Sequence, residues 1–567
     1  MMKRIVLGLC VVLLPGVARA QNQENYLPSK SQLYFRFDGM KMHQAAFDKT
    51  AVGKMMQGDT GKFLDELWKY AQEQIINATQ FEPKVAPLLK DFGKLVSSMH
   101  QDGLVLGVGV EQINPPLVQA VVVFPKAAGE SGTLMPLIQK IAEETKADVK
   151  STKVGKRFVN TVSVQFLQMG WWAQGQDAVV FIGTSDPVAY ARDIDAAKTG
   201  LAGNALFMKT QSFKEFTTAS RGYFDMAGVL QVVSDFAPPA ARIIDELGIK
   251  GIKNITFHSG FEGLAERSVV DMEMVGTRKG LLSLTSQKKI SLKDLPVLPN
   301  DITAFSASSI SLNKAYNVLT GTLDNIIRVF DPNQADNIQE QIKAFEGAVG
   351  VDFEKEIFSN FGDVMVSYSS PSDGFLGTGA VIAIQVKDGK KLNASIAKLL
   401  KAIPANPGGE LVTKKKPYMG GEIMTLQLVG QANANLATLG IYKNWFIYAS
   451  YPQPIKGFIL RQEGQLPAWK ADESLTKALA QFPQEFTSIK VSDPRPSVQM
   501  LLSITPTVMN VVNSVGGPFV PGFKSFDLDL IPHAQDATRH LFPNVTVGTD
   551  DGKRIRSETR ASLSLPF

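Results

Sequence analysis

The chain has 567 residues, of which 44% are hydrophobic, 20% charged and 9% aromatic. That is roughly three to four domains' worth of chain at ~150 residues each, rich enough in apolar residues to bury sizeable cores. Disorder or a fibrous repeat as the main state is excluded. Basic residues number 59 and acidic residues 54, but Lys3, Arg4 and Arg19 all fall within the first twenty positions, so the remainder carries a net charge of only +2. A nucleic-acid partner therefore loses its main electrostatic argument.

Met1 to Ala20 reads as a secretory leader: Lys3 and Arg4 form a basic start, Ile5 to Leu14 an apolar run, and Ala18-Arg19-Ala20 a small-x-small cleavage site. The apolar run is shorter than the ~20 residues that a membrane-spanning helix needs. Acylation of Cys10 is disfavoured because Leu9 precedes it where a small residue is expected. The expectation is cleavage after Ala20, with the mature chain periplasmic or extracellular. Cys10 is the only cysteine, so no intrachain disulfide can form and the mature chain has no thiolate nucleophile. A large exported chain without disulfides points to bacterial export. No later segment is expected to span a membrane. The longest uncharged stretch, Pro496 to Phe523, holds Pro506, Pro518, Pro521, Asn510 and Asn513, a poor composition for a lipid-facing helix.

Taken in order, the elements occur twice. Leu27-Pro28 opens a segment with an alternating strand, Leu33 to Asp38; Leu298-Pro299 opens another, with a strand in Asp301 to Ser309. Helices are expected around Phe63 to Gln74 and Ala335 to Ala348. Strand pairs follow, Gly103–Val110 with Leu117–Phe124 and Asp363–Ser369 with Ala380–Val386, then helices at Leu134–Thr145 and Leu392–Ile403. Two further strands, Phe158–Phe166 and Ala178–Gly183, correspond to Glu422–Val429 and Trp445–Ala449. Helices announced by Ser185-Asp186-Pro187 and Pro452-Gln453-Pro454 come next, since proline suits a first helical turn. The ends match best: Asn254-Ile255-Thr256 with Asn544-Val545-Thr546, the turns Glu262-Gly263 and Asp551-Gly552, then Arg267-Ser268 with Arg556-Ser557.

This series predicts an α+β fold of two tandem related domains, each a mainly antiparallel sheet with helices packed largely on one face. The boundaries follow as leader 1–20, first repeat 21–287, linker 288–299 around Pro296 and Pro299, and second repeat 300–567. The runs Val121–Phe124 and Val179–Ile182, apolar on both faces, belong at the sheet centre. The Leu-Pro openings, the doubled layout and the hairpin Gly260 to Gly263 resemble a group of secreted bacterial proteins of unknown function with a duplicated α+β body. The resemblance implies export and a two-part body, and brings no catalytic residue, cofactor or substrate.

The chemistry-bearing motifs are few. His533, Asp536 and His540 would share one face of a helix, a weak metal-site candidate without an evident fourth ligand. Ser185 sits in a strand-to-helix turn, where helix capping accounts for it. Lys414-Lys415-Lys416 before Pro417-Tyr418 reads as a basic loop, solvated or facing an anionic surface. Trp171 and Trp172, adjacent on a strand, point to opposite faces, so that one indole could be exposed as a binding platform. Val498, Leu501, Leu502, Thr505, Val508, Met509 and Val512 recur at helical spacing, most simply as a core helix. The tail Gly516 to Pro521 cannot continue regular helix, which leaves Phe519 and Phe523 on a loop as partner- or ligand-binding candidates. No cofactor or resident metal is expected. The leading expectation is a non-enzymatic exported binding or structural module of the bacterial envelope, with a protein or apolar small-molecule partner. Two alternatives stand beside it: a carrier of an apolar ligand held between sheet and helices, and a hydrolase with a motif-free carboxylate site.

Overall fold

The computed structural model of the chain describes residues 22–78, 85–113, 116–128, 132, 134–331, 337–374, 377–402, 409–430, 434–519 and 524–563. The expected leader, residues 1–20, and Phe523 lie outside them. The chain is 42% helical and 32% strand, an α+β mixture. Its strands are β1 (Ser31–Phe37), β2 (Leu104–Ile113), β3 (Pro116–Phe124), β4 (Lys150–Val154), β5 (Arg157–Val164), β6 (Leu167–Gln174), β7 (Asp177–Gly183), β8 (Thr217–Phe224), β9 (Ile252–Glu262), β10 (Ala265–Met274), β11 (Ala304–Ser309), β12 (Phe361–Ser369), β13 (Ala380–Val386), β14 (Gly409–Tyr418), β15 (Gly421–Gly430), β16 (Ala434–Tyr442), β17 (Trp445–Ala449), β18 (Ser488–Ser492), β19 (Asn544–Asp550) and β20 (Arg554–Ala561). Interleaved helices include α1 (Asp59–Ala78), α2 (Val85–Asp102), α3 (Leu134–Glu144), α4 (Pro187–Asp195), α5 (Ala205–Gln211), α6 (Gly389–Ala402), α7 (Pro452–Gln462), α8 (Pro494–Phe519) and α9 (Ala534–Thr538).

Two compact units divide these elements. The first takes the described residues of Met1–His43, Lys84–Phe213 and Ala219–Asp225; the second takes Gln44–Pro83, Lys214–Thr218 and Met226–Phe567. In the first unit the strands run β8-β1-β2-β3-β7-β6-β5-β4, every neighbour antiparallel. As their apolar runs require, β3 and β7 lie side by side in the interior of this order. Tyr34, Val123, Trp172, Val179 and Phe181 pack on one face beneath Tyr190, Ala191 and Ile194 of α4 and Phe207 of α5. Trp171, Ala178 and Val180 pack on the other beneath Leu95 of α2 and Leu134 and Leu137 of α3. Helices thus cover both faces, not largely one as expected, because β6 and β7 are apolar at successive positions and each pleat needs its own cover. Asp186, rather than Ser185, caps α4, accepting from the backbone N–H groups of Val188 and Ala189, while the buried Ser185 hydroxyl has no partner among the described residues.

In the second unit the order is β9-β10-β20-β19-β18-β11-β12-β13-β17-β16-β15-β14, again antiparallel throughout. Adding ten to each number of the first unit's order reproduces its last eight members. Both faces are covered here too: Ala383 and Ile447 pack beneath Ile455, Phe458 and Ile459 of α7, and Ile384 and Phe446 lie with Leu392 of α6. The expected hairpins form, with Gly263 at φ +58° and Gly552 at φ +88°, the left-handed backbone that glycine adopts freely. The matched arginines, Arg267 and Arg556, both lie on the β10–β20 seam, though not opposite each other. Arg267 and Arg560 stand directly opposite, and Glu262 accepts from both, at 2.6 and 2.7 Å, which neutralises a like-charge pair. Arg267 also bonds Glu558, and Arg556 pairs with Asp271 at 3.4 Å.

The Lys414–Lys416 run is not a loop. It lies within β14, at the end of the order above, where an edge strand takes charge in place of hydrophobic alternation.

Candidate docking surface

The uncharged stretch after Arg495 forms a helix, α8, that runs 26 residues from Pro494 to Phe519, with Pro506 inside it. The expected break at Gly516 is absent; the helix continues through Gly517 and Pro518 to Phe519. At about 100° per residue, Leu502 and Met509 fall on one face. They are 7% and 8% exposed and pack with Phe63 of α1, Phe526 and Ala537 of α9. Asn513 adds two bonds to the Phe526 backbone, donating at 3.0 Å and accepting at 2.9 Å.

A broad outer face of the helix is uncovered within its unit. Met500, Leu501, Ile504, Val508, Val511, Val512 and Val515 are all exposed, Ile504 by 46% and Val511 by 58%. They span an arc of about 120°, and Ser503, Thr507, Asn510 and Ser514 fill a neighbouring exposed arc of about 60°. The seven-residue stripe read from the sequence is therefore two faces. Leu502 and Met509 turn inward, while Leu501, Val508 and Val512 turn out. The adjacent pairs Leu501-Leu502 and Val508-Met509 carry the signal, since neighbours 100° apart cannot share a narrow stripe. By length and composition, Pro494–Val515 is also the one helix among the described residues long and apolar enough to cross a membrane.

Other candidate residues are placed as follows. Trp171 and Trp172 do point to opposite faces, but they are 2% and 0% exposed, so neither is a surface platform. The side chain of Phe519 and all of Phe523 lie outside the described residues. His533 precedes α9 and His540 follows it, so the three metal candidates do not share a helical face. No group of three or more metal-ligating side chains occurs among the described residues. Burial, then Arg539 and Lys54, lower the pKa of His540.

Several buried or half-buried acids are paired in place. In the first unit, Arg36 and Tyr34 both donate to Glu24, at 2.9 and 2.8 Å, and Arg221 donates to Asp38 at 3.0 Å. Burial alone would raise the Asp38 carboxyl, but bonds and charge from Arg36 and Arg221 hold it below the ordinary range. In the second unit, Arg461 clasps Asp373 through two bonds of 2.7 and 2.8 Å. Burial also opposes ionisation of Asp301, yet Ser370 and Ser372 hold it low. Asp38 and Asp301, kept ionised this way, are poor proton donors and do not supply the acid that a hydrolase needs.

Grooves of about 360, 300 and 610 Å³ are lined by lysines, amides and carboxylates. None of the three is the Phe-, Met- and Leu-lined cavity of an apolar-ligand carrier.

No family model matches the chain, and no curated protein matches it. Among solved structures, "Structure of crystal form III of TP0453" is similar at TM-score 0.25 and 7% identity, covering 47% of this chain and 87% of that one. "Structure of crystal form I of TP0453" follows at 0.24 and 7%, covering 46% and 83%. Scores this low carry no fold or function across.

Proposed function

We propose that this chain is a non-enzymatic exported module of the bacterial envelope that docks on a lipid surface through the outer face of α8. The observation that carries the reading is seven exposed apolar side chains on a helix whose opposite face is already packed. Moving a fully exposed aliphatic side chain out of water gains roughly 1.5–3 kcal/mol. The seven, about half exposed, sum to the order of 5–10 kcal/mol before the cost of orientation. Protein-binding hot spots favour Trp, Tyr and Arg. This face is Met, Leu, Ile and Val, the composition that hydrocarbon favours. The uncharged polar arc beside it would face water.

Export rests on the composition of Met1 to Ala20. Two tandem copies of one α+β body, joined near 288–299, account for the repeated strand order and for the matched Asn-x-Thr, acidic-Gly and Arg-Ser series.

The test is flotation of the mature chain with phosphatidylcholine vesicles at 0.1 and 1 M salt. The charges flanking α8 are already paired, Arg495 with Asp493 and Lys524 with Glu73, so attachment should be apolar and survive high salt. The triple variant Ile504→Ser, Val508→Ser, Val511→Ser should stay in solution with an unchanged thermal melt. A wild-type chain that never floats, or one that dimerises through this face instead, overturns the reading.

A further inference from the structure

A second surface, unconnected with the apolar helix, carries its own chemistry. The groove of about 360 Å³ is walled by Lys414, Lys416 and Tyr418 of β14 and by Lys456 of α7. Its floor is β15 and β16, with Thr425, Gln427 and Asn435. No aspartate or glutamate lines it. We infer that this groove binds a phosphoryl-bearing anion.

The argument starts from the strand. Alternation sends Lys414, Lys416 and Tyr418 to one face of β14 and Lys415 to the other. Lys415 is neutralised there by Glu422 at 2.9 Å. Lys414, Lys416 and Lys456 have no ion pair among the described residues. Edge protection explains lysines on β14, because charge deters pairing with another chain. It does not explain why a third cation converges from a helix, nor why only the outward lysine has an acid. Lys456 is aimed by Tyr418, its Nζ lying 5.5 Å from the ring centroid. Three ammonium groups in a shallow groove without acids raise the local potential and favour an anion of more than one charge. The floor supplies neutral polar partners in Thr425, Gln427 and Asn435, and Gln427 donates to Asn435 at 2.6 Å. The volume falls within the range of small-ligand sites, ~300–1,000 Å³.

The chemistry fits either a soluble phosphate compound or the phosphate of a lipid headgroup. Calorimetry on the mature chain distinguishes them, using inorganic pyrophosphate and glucose 6-phosphate in one arm and dihexanoyl phosphatidic acid in the other. Binding of the soluble phosphates assigns a free ligand; binding of the phosphatidic acid alone assigns a headgroup. Lys414→Ala, Lys416→Ala and Lys456→Ala should each weaken binding at least five-fold. Lys415→Ala, on the opposite face, should leave it within two-fold. All four positions are exposed, so the folds should be retained, as thermal melts would verify. No heat with any of the three probes, or equal loss with Lys415→Ala, overturns the assignment.

Discussion

Leu502 and Ile504 sit two residues apart on α8 and face opposite ways: Leu502 packs beside Phe63 and Phe526, while Ile504 stands 46% exposed. One helix thus carries a packed face and an apolar face with no partner within its unit. An all-round apolar helix ordinarily lies in a core. Here only part of one face is used for packing, which leaves the other available.

The two faces should separate in mutagenesis. Leu502→Ala or Met509→Ala opens a cavity and should cost about 2–4 kcal/mol. Ile504→Ala or Val511→Ala should stay within about 0.5 kcal/mol of wild type. Urea unfolding of the four variants reads this directly; equal losses would mean that the outer face is packed in solution.

The Arg461–Asp373 pair depends on a glycine. A Cβ on Gly457 would lie 2.3 Å from Asp373 Oδ1, so Gly457→Ala should push the carboxylate out of its bidentate grip. Asp373→Asn leaves Arg461 buried beside Tyr368 without its counter-charge and should cost about 3–5 kcal/mol. A double variant, Asp373→Asn with Arg461→Met, should recover part of that loss in the same denaturation assay.

Acid sensitivity follows from Asp38 and Asp301, whose carboxyls both titrate below their ordinary values in the folded chain. A depressed folded pKa contributes stability above the unfolded value of ~3.9, and that stability is lost as pH falls through the folded one. Melting temperature should therefore hold from neutrality to about pH 5 and fall steeply below pH 4. Asp38→Asn should flatten part of that slope while lowering stability at pH 7.

Much of the architecture was legible because period-two alternation and turn chemistry are local. The β13 limits, Ala380 to Val386, the turns at Gly263 and Gly552 and the Asp186 cap all follow from neighbouring residues. β14 was not legible, since an edge strand bearing Lys414-Lys415-Lys416 lacks the alternation that marks a half-buried strand. Covering layers were not legible either. Whether Trp171 is exposed depends on Leu95, Leu134 and Leu137, distant in sequence, and whether Leu502 is core depends on Phe63. The apolar residues of α8 were visible in the sequence, but their division into packed and unpacked faces is long-range information.

Docking on lipid is tested most directly by a probe at one position. Cys10 is the only cysteine of the sequence, so a chain prepared from Gln21 onward has none and Ile504→Cys accepts a single environment-sensitive fluorophore. Asn510→Cys, in the polar arc, serves as its control. On adding phosphatidylcholine vesicles, emission from position 504 should shift to the blue while that from 510 stays unchanged. No shift at 504, or the same shift at both positions, would contradict docking through the outer face of α8.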